Sequence, residues 1–554
     1  MFDFKGFIGA LLRKKSDAHL ENLKSATIWV QELPDSDVQE AQDEIIKVLG
    51  TINSNEKTPL LERIQVLMYL DEKASKLQDL LCREYLTNFN KQNAVERLYL
   101  PTILAFWEEM AESYQLCVRE FANNPSNKKI WKNLPLLTTR AIRCYAMQAK
   151  WSYIRYMPVE SHVWRNLHRL YLFAEREKFA QTPLRLYPHF TKDTTCTSEY
   201  MQALLLQLAN PESLQPTQIN MVDHWLDSWA NSITIEDSFR PQRQIYAVNL
   251  GDNKPAKKLR RNMIGEKYRY WGVGLLQVTI SKTIEHIKAG ELPIHLQLSE
   301  ECRLPSCLEL IELLSDRWSG KNTTRKHERQ KTPKFLQVAQ GLDEILQQIK
   351  PGAKSKLKVD QPVEKPDSVE QFIIDYQLND SSGLGHTSDE TTMLGEPELF
   401  EPVSDQWMVE DESVSGYGAV FHSSSKSRLK IGMLIGLKPD FKKHFAIGII
   451  RRMNKDISSK THVGIQTLSQ TPIAVELIDT ESTKSHNPAI DAIYLPESAA
   501  SELQRSIIIH ADAYKKGQTM QLKAQGKSYV IRFQQPLEQN DDYVRTSFDV
   551  IAKH

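Results

Sequence analysis

The sequence predicts a multidomain α + β protein, with an N-terminal all-α helical-hairpin domain followed by a C-terminal antiparallel β-barrel and a small extra β module. Three observations predict this class. The chain has 554 residues, more than one hydrophobic core usually serves. Apolar residues recur at helical spacing through residues 1–315, and short β-prone runs replace them from residue 405 onward. An acidic segment of different composition lies between the two patterns.

Residues 1–315 are predicted to form helices joined by short links. The apolar residues Leu61, Ile64 and Met68, and again Leu77 and Leu81, are three or four positions apart, a spacing typical of one helical face. Strict alternation of apolar and polar residues is almost absent, so we expect no strands here. Several prolines fall between the helical runs, where prolines begin or end helices: Pro34, Pro59, Pro101, Pro158 and Pro183.

One segment of this region resembles part of a tetratricopeptide repeat. Trp164, Leu167, Tyr171 and Ala180 have suitable offsets, but no 34-residue period continues the pattern. The region is therefore expected to consist of helical hairpins that bind an unidentified protein partner. His168 lies on the Trp164 face, where a core histidine is expected rather than a ligand-binding one.

Residues 351–404 are predicted to be a flexible acidic linker or insertion. Between Asp360 and Glu412, acidic residues outnumber basic ones fifteen to one. Such a segment buries too little apolar surface to offset its ordering entropy. We expect it to lie against the basic residues 321–334 when no anion is bound there.

The C-terminal region is predicted to be built from strands. Six short β-prone runs lie between Trp407 and Leu477, each bounded by turn residues, and predict a small barrel over residues 405–480. Four further runs between Ser506 and Ile551 predict an additional β module over residues 485–554. Residues 335–339 are expected to supply the first barrel strand and residues 341–346 a helix.

Two short motifs contain the candidate binding residues. Arg325 and Arg329 form an RxxxR spacing in the connector, residues 320–350, and Asp411, Ser413 and Gly416 form a DxSxxG spacing between two predicted strands. With the strings WMVEDESVSGYGAVF, FAIGIIRRM and HVGIQTL, they resemble the PilZ domain over about residues 320–480. That family binds the bacterial second messenger cyclic di-GMP, so the resemblance implies a β-barrel receptor for this dinucleotide.

The resemblance also implies a role for each motif residue. Arg325 and Arg329 would hold guanine Hoogsteen edges and phosphates, because a guanidinium offers a rigid fork of donors and a flat stacking face. Asp411 would accept hydrogen bonds from guanine N–H groups, and Ser413 would bond a phosphate or the turn backbone. Gly416 would let the backbone turn close to the ligand. The helical domain would then relay the ligand signal to its partner.

Composition and motif searches exclude several other classes. The sequence contains no HExxH, GxSxG or P-loop motif and none of the signatures of enzymes that make or degrade cyclic di-GMP, so we expect no enzyme, cofactor or metal. Lys plus Arg and Asp plus Glu both total 70, which does not favour a nucleic-acid polymer as partner. No apolar run is long enough to span a bilayer. The six cysteines, including Cys302 and Cys307, are expected to be thiols in a cytoplasmic protein.

Two other functions remain open at this point. The first is a structural adaptor whose barrel keeps the PilZ-like fold but binds no nucleotide. The second is an RNA-binding helical protein, suggested by Arg140, Arg143 and Arg155 among aromatic residues, although packing of these arginines within a helical core is the expected arrangement.

Overall fold

In the computed structural model the chain divides into two units, Met1–Thr323 and Thr324–His554. Helices dominate the first unit, and the second contains two closed β-barrels, so the predicted fold class is confirmed. The residues that the structure describes are 20–34, 36–55, 58–89, 93–123, 125, 128–291, 305–321, 328–331, 334–350, 407–422, 429–440, 442, 444–458, 460–480, 489–497, 503–524 and 527–553. Arg325 and the predicted acidic linker, residues 351–404, lie outside them.

The first unit is built mainly from α-helices joined by short links. In chain order they are α1 (Leu23–Gln31), α2 (Val38–Ser54), α3 (Leu60–Thr87), α4 (Asn93–Asn123), α5 (Lys128–Trp131), α6 (Leu134–Ile154), α7 (Ser161–Arg176), α8 (Cys196–Leu208), α9 (Pro216–Trp229), α10 (Gly274–Lys288) and α11 (Pro305–Trp318). Their apolar faces meet in one continuous core. The helix α3 contains the periodic run from Leu61 to Leu81, and its residues Ile64 and Leu81 are core residues, as the spacing predicts. Among the described helices, none combines the length and apolar character that a bilayer span requires.

Two expectations for this unit are wrong. Pro101 lies inside α4 instead of ending a helix. Its neighbours Leu100 and Ile103 are fully buried, and such packing outweighs the backbone hydrogen bond that proline removes. A small antiparallel sheet also interrupts the helices, in the order β2 (Lys257–Lys258), β1 (Tyr246–Asn249) and β3 (Tyr268–Trp271). These strands are too short for an alternation of apolar and polar residues to be recognised in the sequence.

The arginine-rich helix α6 packs its cations into the core. The Arg140 side chain is 1% exposed, donates to Glu72 Oε1 over 2.9 Å, and lies 4.7 Å from the ring centroid of Tyr187. Arg143 is within 4 Å of the carboxylates of Glu199 and Asp223. Arg140 is buried, and both guanidinium groups are paired with carboxylates of the same unit, so Arg140 and Arg143 do not support the RNA-binding alternative. His168 is likewise a core residue and is bonded on both ring nitrogens.

The first barrel closes through the strand order β4-β5-β6-β9-β8-β7. Its strands are β4 (Lys334–Gln340), β5 (Trp407–Ser413), β6 (Gly416–His422), β7 (Leu434–Pro439), β8 (Ala446–Lys455) and β9 (Lys460–Ser469). The helix α12 (Gly341–Ile349) follows β4 directly. The strand and the helix that the sequence predicts at residues 335–346 are thus both present, and β4 pairs with β5 although the two are far apart in the chain.

The second barrel closes through the strand order β10-β11-β12-β15-β14-β13. Its strands are β10 (Ile473–Asp479), β11 (Ile490–Leu495), β12 (Ser506–His510), β13 (Thr519–Ala524), β14 (Lys527–Gln539) and β15 (Tyr543–Lys553). The sequence places β10 in the first barrel, but β10 pairs with β11 and β13. The small extra module is therefore a complete barrel, and residues 405–480 span parts of both barrels.

The two barrels share an apolar interface that α12 helps to fill. Ile345 of α12 packs in one cluster with Ile447 and Ile449 of the first barrel and Ile493 and Ile508 of the second. Strand β12 shows how the sequence encodes this contact. Ile508 faces the shared cluster, whereas its neighbours Ile507 and Ile509 face the interior of the second barrel. A strand buried on both faces needs consecutive apolar residues rather than alternation.

Cys307 differs from the expectation for the cysteines, because it is disulfide-bonded. The described residues Cys82, Cys117, Cys144 and Cys196 are free thiols, as expected. A disulfide requires the two Cα atoms to lie about 4.4–6.8 Å apart, and this condition depends on local backbone geometry that sequence spacing does not specify.

The shared interface predicts that damage to α12 weakens both barrels. Ile345 is fully buried, so Ile345→Ala removes buried contacts and is expected to cost about 2–5 kcal/mol of unfolding free energy. Hydrogen exchange of β8 and β12 amides measures the effect, and both strands should lose protection together. The matched control is Leu537→Ala, because Leu537 is 40% exposed and should change protection little. Loss of protection confined to β8 would contradict a shared folding unit.

Candidate functional site

The DxSxxG motif forms the hairpin between β5 and β6. Ser413 pairs with Gly416, which leaves Val414 and Ser415 as a two-residue turn. The Ser413 hydroxyl lies 3.3 Å from the Gly416 carbonyl oxygen and 3.3 Å from the Ser415 hydroxyl. Thr467 N donates to Ser415 O over 3.0 Å and fixes the turn on β9. Ser413 therefore bonds the turn itself, one of the two roles that the resemblance implies.

Gly416 is required for a different reason from the expected one. Its φ is not positive, so the turn does not depend on glycine's conformational freedom. Gly416 pairs with Gln466 of β9, and a Cβ at this position would collide with the backbone carbonyl of Ile465. The missing side chain thus lets β6 and β9 approach closely.

Arg329 meets Asp411 on the surface of the first barrel. Arg329 Nη1 donates to Asp411 Oδ1, and the two side chains are 26% and 30% exposed. The segment is held by β-bridge bonds, since Gln330 N donates to Glu412 O and Glu412 N donates to Gln330 O, each over 2.9 Å. Lys334 Nζ adds an ion pair to Glu412 Oε1 at 2.6 Å. Residues 82 positions apart are thus joined at one place.

A glycine opposite Asp411 makes room for this ion pair. Gly418 of β6 pairs with Asp411, and a Cβ on Gly418 would collide with Asp411 Oδ1 and lie 3.2 Å from Arg329 Nη1. The sequence motif did not single out Gly418. The signal that could have found it is the glycine two residues after Gly416, since residues i and i+2 of a strand share a face.

A second ion pair borders the same part of the barrel. His462 of β9 bonds Glu410 of β5 at 3.1 Å and lies 3.6 Å from Asp456. The hydrogen bond to Glu410 is the main cause that raises the pKa of His462 above its usual value, which favours the charged imidazolium. Sequence reasoning missed this pair because its members are 52 residues apart.

The structure thus brings Arg329 and Asp411 together, with Ser413 and Gly416 at the end of the same hairpin. Arg325 is outside the described residues, so its position relative to Asp411 stays a prediction. Within the part of the chain that the structure describes, no group of three or more His, Cys, Asp or Glu side chains could hold a metal ion.

The first unit has a cleft of its own, with a volume of about 870 Å3. Glu175 and Arg269 form an ion pair of 2.8 Å in its wall. The remaining charged residues that line it carry both signs: Arg176, Lys178, Glu236, Asp237, Arg240, Glu266 and Lys267. A wall of mixed charge selects neither an anion nor a cation, so we assign no ligand to this cleft.

Fold and site together define a class of protein: a helical unit followed by two β-barrels, with an arginine–carboxylate pair on the first barrel. Part of the chain is similar to a known family. Residues 24–242 match the family described as "Cyclic-di-GMP receptor FimW, N-terminal domain". The match lies within the helical unit and covers less than half of the chain. No curated protein and no solved structure matches the chain.

The geometry predicts that Gly418→Ala separates Arg329 from Asp411. The new Cβ would occupy the position of the Asp411 carboxylate, which must move away. A crystal structure of the variant should show the ion pair broken while the barrel remains closed. Gly274→Ala is the matched control, because a Cβ there meets nothing within 4 Å. An intact Arg329–Asp411 pair in the Gly418→Ala structure would contradict the prediction.

Proposed function

We propose that this protein is a cyclic di-GMP receptor that performs no chemistry itself. The observation that carries the proposal is the contact between Arg329 and Asp411 across 82 residues of sequence. The RxxxR and DxSxxG halves of a PilZ-type site can act on one ligand only if they meet. Arg329 and Asp411 do so on a barrel of six strands.

The ligand's chemistry suits these two side chains. Cyclic di-GMP carries two phosphate charges and two guanines, each with O6 and N7 acceptors on one edge. Arg329 offers a fork of donors to either group, and Asp411 offers an acceptor for guanine N–H groups. In the structure the two side chains pair with each other. Binding therefore exchanges one partly exposed ion pair, which contributes little stability, for charge-assisted bonds to the ligand.

The family match supports the same function from the other half of the molecule. Residues 24–242 match the N-terminal domain of a family described as a cyclic di-GMP receptor, and the candidate site lies on the barrel unit that follows. The two indications come from separate parts of the chain and agree on the ligand. We therefore assign ligand binding to the PilZ-like barrel, with Arg325, Arg329, Asp411, Ser413 and Gly416 as its site residues.

The proposal requires no cofactor or metal, because binding alone conveys the signal. It also places the protein in the cytoplasm, where this messenger is made.

The helical unit is proposed to pass the signal to a protein partner. Helix α10 exposes Leu275 by 68% and Val278 by 52%, and residues three apart share a helical face. We expect one partner protein to be recovered from cells only when cyclic di-GMP is present. The double variant Leu275→Ser and Val278→Ser should lose that partner and keep ligand affinity. Recovery that is unaffected by the ligand and by the double variant would contradict this relay.

A structural adaptor without nucleotide binding is the competing function. It predicts that wild-type protein shows no heat of binding with cyclic di-GMP.

Titration calorimetry on the full-length chain tests the receptor. Arg329→Ala should weaken cyclic di-GMP binding by roughly 10- to 100-fold, as expected for one bidentate arginine contact. Arg329→Lys should also bind more weakly than wild type, because lysine keeps the charge but not the fork. Arg325→Ala combined with Arg329→Ala should abolish binding.

The matched control for this titration is Arg185→Ala. Arg185 also pairs with a single aspartate, Asp193 at 3.1 Å, but lies in the helical unit. Its loss should leave the affinity unchanged. Equal affinity of Arg329→Ala and wild type, with both proteins folded, would refute the role of Arg329.

A further inference from the structure

One line of paired residues crosses four strands of the first barrel. Asp411 of β5 pairs with Gly418 of β6, Gly418 pairs with Gly464 of β9, and Gly464 pairs with Arg452 of β8. Residues that pair directly across strands present their side chains on the same face of a sheet. Asp411 and Arg452 therefore stand on one face, separated by two glycines. At about 4.8 Å per strand, the line is roughly 14 Å long.

The two glycines, called here the Gly418–Gly464 floor, contribute no Cβ of their own, and neighbouring side chains lie over both: Asp411 and Arg329 over Gly418, and Arg452 over Gly464. Arg329 Nη1 would lie 3.2 Å from a Cβ on Gly418. On the opposite side, Arg452 Nε would lie 3.7 Å and Arg452 Cβ 3.3 Å from a Cβ on Gly464. Arg329 and Arg452 thus approach the same pair of glycines from its two ends, with the Asp411 carboxylate beside Arg329.

The strands at the two ends of this line, β5 and β8, each contain a register shift next to the paired residue. The β5 register shifts between Val409 and Asp411, and the β8 register shifts between Ile450 and Arg452. A bulge bends its strand and changes the direction in which the next side chain points. Arg451, the residue within the β8 irregularity, bonds Gln466 Oε1 at 2.8 Å and pairs with Glu538 of the second barrel. The side chain of Arg452, one residue later, lies over Gly464.

We propose that Arg452 is a further ligand-binding residue, and that the Gly418–Gly464 floor accepts the flat face of a purine held between Arg329 and Arg452. This inference rests on the proposed function and deepens it. A planar base can lie against the backbone at two paired glycines once bonds to the ligand draw the side chains of Asp411, Arg329 and Arg452 aside, because no Cβ stands between the base and the backbone. Arginine can stack on a purine or bind a phosphate, and two arginines on opposite sides match a ligand with two phosphates.

Calorimetry with cyclic di-GMP on the full-length chain tests the inference. Arg452→Ala should bind roughly 10- to 100-fold more weakly than wild type, and Arg452→Lys should recover only part of the loss. Gly464→Ala should also weaken binding, because its methyl group covers the floor and displaces Arg452. Circular dichroism should show each variant folded.

The matched control is Arg532→Ala, which removes the same charge from an exposed position on β14 of the second barrel and should bind like wild type. If Arg452→Ala does not fold, Arg452→Lys and Gly464→Ala decide the question. Wild-type affinity in these variants, together with lost binding in Arg329→Ala, overturns the role of Arg452 and leaves the receptor function intact. No binding by the wild-type protein overturns the receptor function itself.

Discussion

The arrangement of the first barrel's candidate binding face depends on the backbone bridge between Gln330 and Glu412, which places Arg329 beside Asp411. Its two hydrogen bonds hold the segment before β4 against β5, although Arg329 and Asp411 are 82 positions apart in the chain. Loop-closure entropy rises only logarithmically with loop length, so a long excursion adds little to the cost of the contact.

Glycines set the shape of this face because they determine how closely other groups can approach. Gly416 lets β6 lie against the Ile465 carbonyl, and Gly418 leaves room for the Asp411 carboxylate. Neither residue has the positive φ that usually explains a glycine in a turn. The same property, a missing Cβ, thus serves strand packing at one position and ion-pair placement two residues later.

The sequence predicted those features that depend on local pattern. Three elements were predicted from the sequence because neighbouring residues specify each of them: the strand β4, the helix α12 and the hairpin at Asp411. The pairing of β10 with β13 joins residues some forty positions apart, and a local reading assigned β10 to the wrong barrel. Gly464 and Arg452 were missed for the same reason, because only the register of β9 against β6 and β8 reveals that they line up with Asp411.

Adjacent arginines on β8 contribute to two different places, the contact with the second barrel and the proposed binding face. In a regular strand, Arg451 and Arg452 would point to opposite faces, one of them into the barrel interior. The register shift between Ile450 and Arg452 avoids burying a cation there. Arg451 then pairs with Glu538 and Gln466, while Arg452 lies over Gly464. Since Glu538 also bonds Arg545 of the second barrel, the register of β8 is tied to that barrel. The second barrel therefore helps to keep Arg452 aligned with the glycine floor.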